Sequence, residues 1–373
     1  MPASNGAGRR LRVLLLTPDF PPAEGGIQLL LSRLVSCLEP EVEFRVLTLG
    51  QEGDEAYDRE FEAEVQRVGS ASGDRRLAAL RLNARSLAEA RSFRPDLLLS
   101  GHVVASLGAM VLRKLLRVPL VQYVHADEFR VRAKLCEAAV KSAEATIAVS
   151  EYTRQMCLDA GADPERVEVI HPGIDLPPPP SYERDPRPTL LTVATLLFRY
   201  KGHDVMVRAL PLIRAKVPDA RWVVVGDGPF RPALENAVRA YGVEDAVELR
   251  GRVPDSERDS WLERASVFCM PSRLPAAGLG GEGFGIVYME AAAHGLPTIG
   301  GDVAGARDAV RDGETGLLVD PTDHLALAAA ASELLADPAR AREMGEAGRA
   351  WAERHAWPLV AARVEELLRR VAG

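Results

Sequence analysis

Gly281-Glu282-Gly283-Phe284-Gly285-Ile286-Val287-Tyr288-Met289-Glu290 sets two carboxylates with seven residues between them around a Gly-Phe-Gly turn. From Ile286 onward apolar and small side chains dominate until Gly295-Leu296-Pro297, which predicts a short helix. A helix start leaves backbone N–H groups pointing outward, where ligand oxygens can be held. The glycines at 281, 283 and 285 allow a close approach to the main chain. Glu290 lies about two turns beyond Glu282, so the two carboxylates reach different parts of a long ligand. Carboxylates accept hydrogen bonds from hydroxyls, and this pair suits a sugar at one end and a ribose at the other.

On both sides of this stretch apolar runs alternate with helical patterns. Residues 12–17 read as a buried parallel strand, and Gly25-Gly26 then opens a helix to about Leu38. Further strands are predicted over 43–49, 97–100, 120–124, 146–150 and 167–170, with helices over 76–93 and 131–143. Pro177-Pro178-Pro179-Pro180 interrupts the alternation, because a proline run is stiff and cannot enter a sheet interior. A second series follows, with strands over 189–194, 222–226, 247–250, 267–270 and 298–300 and helices over 323–336 and beyond Pro338. This predicts an α/β protein of two mostly parallel-sheet domains, residues 1–176 and 189–357, joined by a linker at 177–188. The closing segment, 358–371, reads as an amphipathic helix.

Composition narrows the function classes. With 373 residues the chain has room for two domains. A net charge of −7 argues against a general nucleic-acid binder. Cys37, Cys136, Cys157 and Cys269 form no C-x-x-C pair, which fits a reduced, cytoplasmic protein. The polar lead from Met1 to Arg10 shows no signal-peptide pattern, and no membrane-spanning run follows. No H-E-x-x-H or other metal-ligand pattern occurs, so neither a metal nor another cofactor is expected.

E-G-F-G-I-V-Y-M-E-A resembles the E-x7-E signature of the retaining family 4 glycosyltransferases, which have the GT-B fold. The likeness runs from Gly25-Gly26 to the helical tail, and is similar to a subgroup of phosphatidylinositol mannosyltransferases. It implies two Rossmann-like, doubly wound domains facing an interdomain cleft, with segment 358–373 packing back on the first. It also implies that the first domain holds the acceptor and the second the sugar nucleotide. By the same resemblance Glu290 accepts the ribose hydroxyls, while Glu282 and the N–H groups of Phe284 and Gly285 orient the sugar. The backbone at Gly251 and Val253 meets the nucleobase. Arg199, Lys201 and the Gly25-Gly26 turn neutralise the diphosphate, and His125 approaches the transferred sugar. Asp127 is the acceptor-side candidate. The usual G-R-L of the family reads Ala194-Thr195-Leu196 here, so Thr195 stands where an arginine is common. Either Arg199 substitutes or Lys201 carries the phosphate charge.

The resemblance implies a retaining hexosyltransferase that uses GDP-mannose or a UDP-sugar, with a lipid, saccharide or small-molecule hydroxyl as acceptor. Two alternatives stay open: a sugar-nucleotide 2-epimerase of the same fold, and a sugar-nucleotide-binding protein without turnover. The stretch 75–94 carries Arg75, Arg76, Arg81, Arg85, Arg91 and Arg94 against one acid, Glu89. Leu77, Leu80, Ala84 and Leu87 are predicted to form its apolar face. Such a basic helix suits either a solvated position with its apolar face joining the core or peripheral contact with an anionic membrane.

Overall fold

The computed structural model describes residues 9–39, 41–69, 74–197, 199–276 and 278–373. The lead from Met1 to Gly8 and Phe198 lie outside the described residues. Two compact units result: residues 1–173 with 357–373, and residues 174–356.

The first unit runs β1 (Leu11–Leu16), α1 (Gly26–Leu38), β2 (Val42–Leu49), α2 (Asp54–Glu60), β3 (Glu64–Val68), α3 (Arg75–Phe93) and β4 (Leu97–Ser100). It continues with α4 (Ser106–Leu116), β5 (Leu120–Val124), α5 (Ala126–Ser142), β6 (Ala145–Ala148), α6 (Glu151–Asp159) and β7 (Val167–Val169). Among the described residues these strands form one parallel sheet in the order β3-β2-β1-β4-β5-β6-β7. The central strands are Leu- and Val-rich because helices cover both their faces.

The second unit runs β8 (Thr189–Val193), α7 (His203–Lys216), β9 (Arg221–Val225), α8 (Arg231–Ala240), β10 (Val247–Gly251), α9 (Asp255–Arg264) and β11 (Val267–Met270). Then come α10 (Ile286–Ala293), β12 (Thr298–Gly301), α11 (Ala306–Ala309), β13 (Gly316–Val319), α12 (His324–Ala336) and α13 (Pro338–Glu353). Its strands are parallel in the order β10-β9-β8-β11-β12-β13. The last helix, α14 (Trp357–Ala372), returns to the first unit and packs on α1, with Arg370 paired to Glu168 at 2.7 Å. No helix among the described residues is long and apolar enough to cross a membrane.

Three expectations need correction. Strands β3 and β13 were not predicted. Both lie at sheet edges; β3 (E-V-Q-R-V) mixes polar and apolar residues, and β13 (G-L-L-V) is a very short apolar run whose side chains are only half-buried. Helix α5 begins at Ala126 rather than Val131, and its backbone breaks at Arg132 (φ −140°, ψ 43°), so a regular pattern starts only after the break. On α3 the inward face is Ala78, Leu82, Ser86, Ala90 and Phe93, whereas Leu77 and Leu80 are exposed.

Candidate active site

In each sheet the strand order reverses once, between β1 and β4 and between β8 and β11. Open α/β sheets bind ligands at the carboxyl ends of the strands flanking such a reversal. In the second unit the loop after β8 carries Thr195, Arg199 and Lys201, and the loop after β11 carries Glu282. The fold therefore brings these distant segments together: Lys201 Nζ lies 2.5 Å from Glu282 Oε2, and both side chains are mostly buried. Arg199 is exposed, with its guanidinium over the Phe230 ring at 5.2 Å. Thr195 is exposed on the same loop.

The predicted helix is α10, and Gly285 is its N-cap with φ 91°. That left-handed backbone favours glycine, and a Cβ there would also lie 2.4 Å from the Tyr288 ring. The loop before it is held by its main chain, with Gly305 N–H donating to the Glu282 carbonyl at 3.0 Å. A Cβ on Gly305 would meet the Gly283 carbonyl oxygen at 2.2 Å, so this close approach requires glycine. Tyr288 Oη donates to the Met270 carbonyl at 2.5 Å and ties α10 to β11. The far end of α10 is capped by two arginines: Arg349 donates to the Ala293 carbonyl and Arg184 to the Gly295 carbonyl, each at 2.6 Å. Cations at a helix C-terminus complement its dipole. The element is thus fixed at both ends, and it follows directly on the loop that carries Glu282.

Glu290 lies about 6 Å along α10 from Ile286. Burial raises its carboxyl above the ordinary carboxylate range, and Arg258 of α9 opposes that rise. Burial would lower Arg258, but Glu290 and Asp259 around it hold it above its usual value. Arg258, in the stretch D-S-E-R-D, gave no sequence signal; only the packing of α9 reveals it. Gly251 takes φ 71° at the end of β10, and its carbonyl accepts the Gly226 N–H at 2.8 Å. Val253 follows, half-buried. Arg273, in the loop after β11, makes a bidentate pair with Asp204 at 2.9 Å to each oxygen.

In the first unit Gly25 and Gly26 are exposed at the start of α1. His125 follows β5 and is half-buried, with Nε2 3.1 Å from the Gly101 carbonyl and its ring stacked on Tyr123. The carbonyl can only accept, so Nε2 carries the ring proton. Burial and the neighbouring His102 push this imidazole down to about 4, which leaves it neutral at pH 7. Asp127 is half-buried and paired with Arg130 at 3.3 Å. Sequence reasoning did not single out His102, Asp19 or Glu128, which the fold gathers beside His125. Among the described residues no cluster of His, Cys, Asp or Glu has the arrangement of a metal site.

Comparison with known proteins adds an independent line. The family model "Glycosyltransferase Family 4" matches residues 24–177, and "Glycosyl transferases group 1" matches residues 179–351. The chain is 34% identical over 384 residues to the GDP-mannose-dependent alpha-(1-6)-phosphatidylinositol monomannoside mannosyltransferase of Mycolicibacterium smegmatis, covering 95% of this chain and 98% of that protein. It is also 34% identical over 224 residues to a D-inositol 3-phosphate glycosyltransferase of Thermobispora bispora, covering 55% of this chain and 51% of that protein. Among solved structures, a sucrose-phosphate synthase from Thermosynechococcus elongatus aligns with a TM-score of 0.81 at 21% identity, covering 97% of this chain and 99% of that one. Anabaena HepE in complex with UDP and glucose aligns at 0.78 and 20% identity, covering 97% and 100%. These two likenesses concern the fold alone.

Proposed function

Because this chain belongs to glycosyltransferase family 4, retaining hexosyltransferases of the GT-B fold, we propose that it moves mannose from GDP-mannose to a phosphatidylinositol-based glycolipid. The observation that carries this reading is the α10 element, with Glu282 and Lys201 paired at its entry and the half-buried Glu290 further along. A long ligand with hydroxyls at both ends and charge in the middle matches that order. The likeness to a GDP-mannose-dependent enzyme over nearly the whole chain supports the choice of donor.

In this proposal Glu290 takes the ribose hydroxyls, and the backbone at Gly251 and Val253 meets the base. Glu282 and the N–H groups of Phe284 and Gly285 orient the mannose. Lys201 and Arg199 offset the charge that grows on the diphosphate as the bond to the sugar breaks. The acceptor oxygen bonds to the anomeric carbon on the face the diphosphate leaves. Its proton passes to the departing phosphate oxygen. The acceptor falls to the first unit, which offers His125, Asp127 and the Gly25-Gly26 turn at the carboxyl edge of its sheet. A thermal-shift series with GDP-mannose, UDP-glucose, ADP-glucose and dTDP-glucose tests the donor. GDP-mannose is expected to raise Tm most, by mass action on the folded state. A larger shift with a UDP-sugar would overturn the guanine assignment.

A glycolipid acceptor requires work at the cytoplasmic membrane surface. Helices α3 and α4 pack together and share a core, yet Leu77 and Leu80 on one and Leu107, Val111 and Leu115 on the other remain exposed. Arg76, Arg81, Arg91, Arg113 and Lys114 belong to the same two helices. Apolar side chains among cations suit an anionic lipid surface. The double variant Val111→Asp with Leu115→Asp is expected to lower binding to phosphatidylinositol-containing vesicles at least about tenfold, from the lost apolar burial. Equal co-sedimentation of the variant and the wild type would remove α4 from the contact.

A further inference from the structure

Shortly before β8 the chain crosses the C-terminal ends of two helices of its own unit, α9 and α10. Arg184, half-buried there, forks between them. Its Nη1 donates to the Glu263 carbonyl of α9 at 2.5 Å, and its Nη2 donates to the His294 and Gly295 carbonyls after α10 at 3.3 and 2.6 Å. The next residue extends the contact, since the Asp185 N–H donates to the Arg264 carbonyl at 2.8 Å. Asp185 is itself braced on β9 by Arg221 at 2.7 Å. Carbonyls at a helix end have no partner within the helix, and a cation there offsets the dipole. One guanidinium therefore serves two helix ends. The approach is close: a Cβ on Gly295 would lie 2.7 Å from the Tyr182 ring and 3.0 Å from Pro180. The same two helices carry Arg258 and Glu290. Arg258 lies five residues before Glu263, about 7–8 Å along α9. The Glu290 carbonyl accepts the His294 N–H at 3.2 Å, one turn before the carbonyls that Arg184 holds. His294 is 7% exposed and has Asp259 and Arg258 of α9 among its charged neighbours.

We propose that Arg184 is a positioning residue for the donor: its fork ties the end of α9 to the end of α10 and so fixes Arg258 and Glu290 relative to each other. This rests on the proposed function in placing the donor ribose at Glu290. A planar guanidinium reaches both helices at once, whereas an ammonium is a single point on a flexible stem. Burial draws Arg184 down to about 10, with Tyr182 opposing the fall, so the guanidinium is charged at neutral pH. Arg184→Lys therefore separates the fork from the charge.

In the ligand-free Arg184→Lys protein, hydrogen exchange over residues 260–265 and 289–295 should quicken together by about tenfold, while α12 keeps its protection. An unchanged rate in either stretch would overturn the proposal. Calorimetric titration with GDP then compares the substitution in two backgrounds. In the wild type Arg184→Lys should weaken binding about tenfold, but in Glu290→Ala it should add less than about twofold, because the residue acts through Glu290. Equal losses in both backgrounds would place its action elsewhere and sink the idea. In sugar transfer the same change should raise KM and leave kcat near the wild-type value, and a fall in kcat at unchanged KM would count against it. The wild type supplies a check that no failed variant can spoil. Coupling between sites is reciprocal, so saturating GDP should slow exchange over residues 182–187. Exchange there indifferent to GDP would overturn the coupling. If Glu290→Ala alone left GDP affinity untouched, the ribose reading would fail, while exchange in the ligand-free protein would still judge the clamp.

Discussion

Glu290→Ala is expected to bind both GDP and GDP-mannose at least about tenfold more weakly than the wild type. The ribose is common to the two ligands, so the loss should be equal for each. Glu290 is a half-buried acceptor on a helix fixed at both ends, and Arg258 favours its charged form. Two ribose hydroxyls donating to it would replace the water that burial removed. Truncation leaves those donors without their acceptor, which costs about 1–3 kcal/mol for a neutral group and more where the acceptor was charged. Glu290→Gln keeps an acceptor oxygen, so its loss should be smaller. Calorimetric titration with GDP decides the matter. Unchanged affinity in Glu290→Ala would refute the ribose assignment, and a loss confined to GDP-mannose would move Glu290 to the sugar.

The second large effect is expected at Lys201. Lys201→Ala should lower kcat by about two to three orders of magnitude, the range seen when a fixed group stabilising developing charge is deleted. Without ligand, Lys201 and Glu282 neutralise each other across 2.5 Å. When a diphosphate enters, the ammonium can serve both the carboxylate and the phosphate. As the bond to the sugar breaks, charge accumulates on the leaving group and the attraction strengthens. The loss should therefore fall on kcat more than on GDP affinity. A raised KM with unchanged kcat would mean that Lys201 binds ground state and transition state alike. Lys201→Arg keeps the charge with a planar, bulkier head, and its rate should lie between the two.

The candidate site was legible in the sequence where its elements are local. The Glu282 and Glu290 spacing, the glycine turn and the helix stop at Gly295-Leu296-Pro297 lie within one stretch, and α10 forms over Ile286–Ala293 from those cues. Central strands were legible for a similar reason, since a strand covered on both faces must be apolar along its length. Strand β3 escaped because polar residues interrupt its stretch E-V-Q-R-V, and β13 because the apolar run in G-L-L-V is too short to tell from a loop. Helix α3 shows the limit well. Leu77-Leu80-Ala84-Leu87 and Ala78-Leu82-Ala90-Phe93 both fit a helical period, and the residues alone do not choose between them. The choice is made by neighbours. Asn83 bonds the Val104 carbonyl and the Gly108 N–H, and Glu89 pairs with Arg45 of β2.

By itself the chain of residues determined the alternating α/β pattern and the E-x7-E element, because each depends on neighbours a few positions apart. Only the tertiary structure decided that Lys201 faces Glu282, that Arg258 attends Glu290, and that Glu128 joins Val103 to His125. Those pairings come from separate strands and helices meeting at the carboxyl ends of the sheets. Burial and charge there depend on what the fold brings alongside, which sequence spacing does not record.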